Sequence, residues 1–152
     1  MLACLGVAIT VSPVAGREIS SSARVNEDAT LRIDGKTIHL YGVHVPDSGR
    51  QCTTNRRPQV CGTRAALALD FKIQGFVRCE IIERREDRSL VGRCRVNARG
   101  SDEGEDLSAY LLDRGWAVAL PEAPVEYQAL EKIARNRGVG VWGRPIDSLQ
   151  RN

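Results

Sequence analysis

Two clusters of arginine, Arg50, Arg56 and Arg57 in one stretch and Arg84, Arg85 and Arg88 in another, are candidates for binding phosphate, with simply solvated loop tips as the other reading. A guanidinium presents a planar fork of donors that matches phosphate oxygens, so two such loops flanking one face would attract a phosphodiester backbone. The net charge of +3, from 22 basic and 19 acidic residues, is too small for a protein that packs nucleic acid over its whole surface. Any phosphate recognition must come from local arrangement. Tyr41 alternates with His39 and Val43 along one extended run, where its ring could stack a base or pack at the rim of the core. Covalent catalysis has no foothold, since no Gly-x-Ser-x-Gly or phosphate-loop pattern occurs and no cysteine has a histidine near it in the sequence.

The elements that would position these groups follow from periodicity. Leu31 and Ile33, then Ile38 and Leu40, alternate on either side of Asp34-Gly35, the strongest short-range signal for a β-hairpin. Residues 62–74 predict a helix with Thr63 as its cap, an apolar face of Ala66, Leu69 and Ile73, and Gly75 as its stop. Strands follow over 76–82 and 90–96, with Glu86-Asp87 as a two-residue turn between them. An exposed polar loop spans 97–105. Leu107, Tyr110, Leu111 and Arg114 make a short helix ended by Gly115. Pro121 and Pro124 open a last helix, with Tyr127, Leu130 and Ala134 facing inward, that stops at Gly138.

At 152 residues and 42% hydrophobic composition the chain is long enough for one domain with a single core. Residues 1–16 carry no charged side chain and read as a probable signal segment, although a basic leader is missing. No stretch is long enough to span a membrane. Setting Cys4 aside with that segment leaves four cysteines, which allow three pairings. Cys79 and Cys94 lie seven residues to each side of Glu86-Asp87 and would face each other across adjacent strands, leaving Cys52 with Cys61. Disulfides imply an oxidising compartment, so a periplasmic or secreted location is expected.

Thr30-Leu31-Arg32-Ile33, Leu40-Tyr41-Gly42-Val43 and Pro46 make up a framework that resembles the first hairpin of the thermonuclease family, the staphylococcal-nuclease-like proteins. The likeness continues through Cys61-Gly62 to Leu69, Cys79-Glu80, Leu90-Val91-Gly92-Arg93-Cys94, Asp106-Leu107, Arg114-Gly115-Trp116-Ala117, Ala134-Arg135 and Gly140-Val141-Trp142, so it covers about 22–143. It implies an α+β fold, a five-stranded OB-fold-like β-barrel with three helices, followed by a polar tail at 144–152. The spacing of Cys52, Cys61 and Gly62 is similar to a run in secreted members and supports the Cys52 to Cys61 pairing.

The resemblance also implies where chemistry would lie. The family's two metal-binding aspartates fall on Ala29 and His44, its phosphate-gripping arginine on His39, its general-base glutamate on Asp47, and its second arginine on Ser89. Only Asp47 keeps a carboxylate. A hard cation such as calcium needs oxygen ligands, whereas imidazole suits zinc, copper or nickel. No cofactor is therefore expected, with calcium required only if nuclease activity persists. Glu27, His44 and Asp47 form an alternative set for a transition metal, without a recognised zinc spacing. The expected function is a catalytically inactive, exported nuclease-like module that binds nucleic acid or a protein partner. The alternative is a secreted metal-dependent phosphodiesterase with a rearranged site.

Overall fold

In the computed structural model, which describes residues 16–47, 51–52 and 61–143, five strands close into a barrel. They are β1 (Glu18–Val25), β2 (Leu31–Ile33), β3 (Lys36–Leu40), β4 (Phe76–Arg84) and β5 (Leu90–Val96). Neighbours run antiparallel in the order β3-β2-β1-β4-β5. The ring closes where β3 pairs with β5 in parallel, Ile38 opposite Leu90, His39 opposite Val91 and Leu40 opposite Gly92. Closure gives each of these five strands a neighbour on both sides. The expected fold class, an OB-fold-like barrel with three helices, is what the chain forms.

Alternation drives the barrel. Leu31, Ile33, Ile38, Val77, Cys79 and Cys94 are fully buried, while Arg32, Arg78 and Glu80 between them are exposed. The Asp34-Gly35 turn has φ of 48° and 75°, the double positive φ of a two-residue hairpin loop, as the sequence predicts. Gly92 sits at the closing seam, where an added Cβ would lie 3.2 Å from the Glu80 carbonyl oxygen and 3.3 Å from Ile38. A side chain there would hold the strands apart.

The β4–β5 hairpin differs from expectation in a way that cancels. Glu86-Asp87 does not form a two-residue turn, because neither residue is a glycine able to take the positive φ such turns favour. The loop is one residue longer: Arg85 N–H donates to Ser89 O at 2.9 Å, Arg88 N–H donates to Arg85 O at 3.0 Å, and Arg88 has φ of 68°. A bulge at Ile82, between the pairs Ile81 with Gly92 and Glu83 with Val91, takes the extra residue back. Cys79 therefore faces Cys94 as expected, and the two form a disulfide across a Cα separation of 4.0 Å.

Cys52 and Cys61 are backbone register partners in the short ladder of Gln51–Cys52 with Cys61–Gly62. Their side chains lie outside the described residues, as do residues 1–15, Arg50, Arg56, Arg57 and the 144–152 tail.

Three helices cover the barrel: α1 (Arg64–Lys72), α2 (Leu107–Asp113) and α3 (Val125–Arg137). The first is shorter than 62–74 at both ends. Thr63 stays extended to cap it, its hydroxyl oxygen accepting from the Ala66 N–H at 3.1 Å, and Ile73 has already left helical geometry. Asp106 caps α2 through the N–H groups of Ser108 and Ala109, and Gly138 ends α3 at φ 63°. Leu69 of α1 and Leu107, Leu111 and Leu112 of α2 are fully buried and seal the core. Among the described residues no helix is long and apolar enough to cross a membrane.

Candidate functional site

Two loops of the barrel share one local design. In residues 26–30, Asn26 N–H donates to Thr30 O at 2.8 Å and Ala29 N–H donates to Asn26 O at 3.0 Å. Asp28 Oδ1 accepts from the Thr30 N–H at 3.0 Å and the Thr30 hydroxyl at 2.7 Å, and Ala29 takes φ of 66°. Residues 85–89 repeat the backbone bonds, and there Asp87 Oδ1 accepts from the Ser89 N–H at 2.9 Å and the Ser89 hydroxyl at 2.6 Å. Both segments read Glu-Asp-x-Thr/Ser. An aspartate satisfies the chain two residues on, and the residue between turns left-handed.

His39 stands within electrostatic reach of both aspartates. Its strand buries Ile38 and Leu40 in the core and leaves the imidazole half-buried at the surface. Burial, and then the Arg85 guanidinium, hold the ring below the usual histidine range, opposed in part by Asp28 and Asp87. It is thus mainly neutral at pH 7. Burial pushes Asp28 upward, but the hydroxyl and N–H of Thr30 outweigh it and the carboxyl ends below its ordinary value. Hydrogen bonds from Ser89 do the same for Asp87. Both aspartates therefore stay ionised at neutral pH.

A cavity of about 700 Å³ opens beside these turns. Asp28, His39, Asp87 and Ser89 line it, and Arg17, Lys36, Arg84 and Arg88 bring four cations to the same walls. A smaller cavity of about 190 Å³ takes in Ala29, His39, His44 and Arg85. A third, about 570 Å³, is lined by Glu27, Asp47 and Thr63 among others. Asp28 borders all three. The fold thus brings the positions singled out in the sequence, Ala29, His39, His44, Asp47 and Ser89, to one continuous face.

Other candidates scatter. Tyr41 lies beyond the end of β3 and lines none of these three cavities; Arg93 rests over its ring at 5.3 Å and its carbonyl oxygen accepts from the Ser108 hydroxyl at 2.9 Å. Arg84 and Arg88 join the large cavity and Arg85 the small one. Asp28, Asp87, Arg17 and Lys36 were not singled out from the sequence. The repeated Glu-Asp-x-Thr/Ser pattern was the signal available for the two aspartates.

The residues present do not fit calcium. Ala29 is 3% exposed with only a methyl group to offer, and His44 presents an exposed imidazole on a backbone paired with Val118. Among the described residues no three His, Cys, Asp or Glu side chains converge to hold a metal ion, Glu27, His44 and Asp47 included. Oxygen donors are the requirement for a hard cation, and Ala29 and His44 offer none. No protein-family model matches the chain, and no curated protein matches it.

Proposed function

We propose that the protein is an exported barrel module that binds the phosphodiester backbone of single-stranded nucleic acid in the cavity beside His39, without calcium-assisted hydrolysis. The observation that carries this reading is the convergence of Arg17, Lys36, Arg84 and Arg88 on one cavity whose two aspartates are already engaged by their own turns. The four cations outnumber the two ionised aspartates of the cavity, and they suit an anion. A cavity of about 700 Å³ is of a size that takes a nucleotide. The resemblance to the thermonuclease family directs attention to the same face. The Cys79–Cys94 bridge supports export, since such a bond persists in an oxidising compartment.

Fluorescence anisotropy with a labelled single-stranded DNA tests this. Affinity is expected to fall steeply as salt rises, and Arg84→Gln or Arg88→Gln to lower the slope of log affinity against log salt by about 1 each. A folded protein that shows no DNA binding even at low salt would favour a protein partner instead.

A further inference from the structure

Binding a phosphate backbone makes no use of His39, which among the described residues lining the large cavity is the side chain able to act as a neutral base near pH 7. Asp28 and Asp87, which line it too, are weakened as bases by the hydrogen bonds they accept. The backbone of His39 is fixed by its strand, whose parallel pairing sets it opposite Val91. Arg84 and Arg88 line the same cavity and bring to it the positive charge that a developing phosphate anion calls for.

Resting on the binding reading above, we propose that on RNA this site promotes a metal-free strand cleavage, with His39 as the general base that takes the proton of the ribose 2′-hydroxyl. RNA carries its own nucleophile, so the site needs neither an activated water nor a hard cation, for which Ala29 and His44 offer no oxygen ligand. The 2′-oxygen forms a bond to phosphorus as its proton passes to His39. The bond from phosphorus to the 5′-oxygen breaks, and its electron pair stays on that oxygen. Water gives the leaving oxygen a proton, and the hydroxide left behind takes the proton from the imidazolium. The products are a 2′,3′-cyclic phosphate and a 5′-hydroxyl, and the neutral ring is restored. Arg84, Arg88 and Lys36 stabilise the extra negative charge on the five-coordinate phosphorus. DNA, lacking the 2′-hydroxyl, binds and stays intact.

The full oxidised chain is incubated in excess chelator with two labelled oligonucleotides, one all-deoxy and one with a single ribonucleotide in the same sequence. Binding of each is followed by anisotropy in parallel. The expected result is cleavage only at the ribonucleotide, with a cyclic phosphate end, and a loss of a hundredfold or more in rate in His39→Gln at unchanged affinity. Equal binding of both strands with neither cut overturns this inference and leaves the binding reading standing. Absence of binding overturns both. Cutting of the all-deoxy strand, or a rate unchanged by His39→Gln, assigns the chemistry to other groups and likewise overturns it.

Discussion

The turns at 26–30 and 85–89 have the same hydrogen-bonded frame and opposite surroundings. In the first, the left-handed position is Ala29, whose methyl group is 3% exposed and packs into the core. In the second it is Arg88, exposed and lining the large cavity. The buried partner of each aspartate, Thr30 or Ser89, is a hydroxyl residue that ties the turn to the barrel. One backbone device thus serves packing at one side of the site and charge presentation at the other. The frame is set by the aspartate and its acceptor bonds, and the residue it turns left-handed is free to take on either task.

The widest separation between the two turns should come from placing an aspartate at each left-handed position, which aspartate tolerates in backbone terms. Ala29→Asp is expected to cost about 2 to 3 kcal/mol by burying a carboxylate without partners, whereas Arg88→Asp should leave urea unfolding nearly unchanged. Recovery of Ala29→Asp by millimolar calcium would show that the first turn can still assemble a cation site. Removing the hydroxyl partners should give a smaller gap. Thr30→Val takes a bond from Asp28 and from Asn26 and is expected to cost about 2 kcal/mol. Ser89→Ala should cost less, since water can replace the bond to exposed Asp87.

Glycine at the left-handed positions reverses the sign. Arg88→Gly should stabilise by about 1 kcal/mol by relieving the positive φ. Ala29→Gly should gain roughly half of that, because the lost methyl leaves a gap in the core. Thermal melts of the two variants would order them.

The smallest effect concerns acid. His39 has a folded pKa below its unfolded 6.5, so the unfolded chain binds a proton first. Its contribution is complete above 6.5 and is lost as pH falls from there through the lower folded value. Asp28 and Asp87, also lowered, add a second loss below 3.8. His39→Gln should remove the upper step from a plot of stability against pH and leave the lower one.

Much of this fold was legible because its signals are local. Asp34-Gly35 names its own turn, and Cys79 and Cys94 are placed by strand counting. The Ile82 bulge was not legible, since the extra residue it absorbs depends on how residues 85–89 turn, and only the completed hydrogen bonds decide that. The strand Glu18–Val25 opens ahead of Ser22, where the resemblance begins, because its hydrophobic signal is slight and its pairing with β4 is what holds it. At the site, the sequence marked Ala29, His39 and Ser89 through the resemblance. It missed Asp28 and Asp87, which look like ordinary loop acids until their carboxylates are seen to hold the turns on either side of one cavity.

The parallel seam between β3 and β5 runs along one wall of that cavity, with Thr37 and His39 on one strand and Ser89 and Leu90 on or beside the other. A ligand lodged there touches both strands, so its departure and any transient parting of the seam become coupled motions. Deuterium uptake at the amides of residues 38–40 and 90–92 should therefore slow when the cavity fills, and the residence time of the ligand would be written in the breathing of a few backbone bonds.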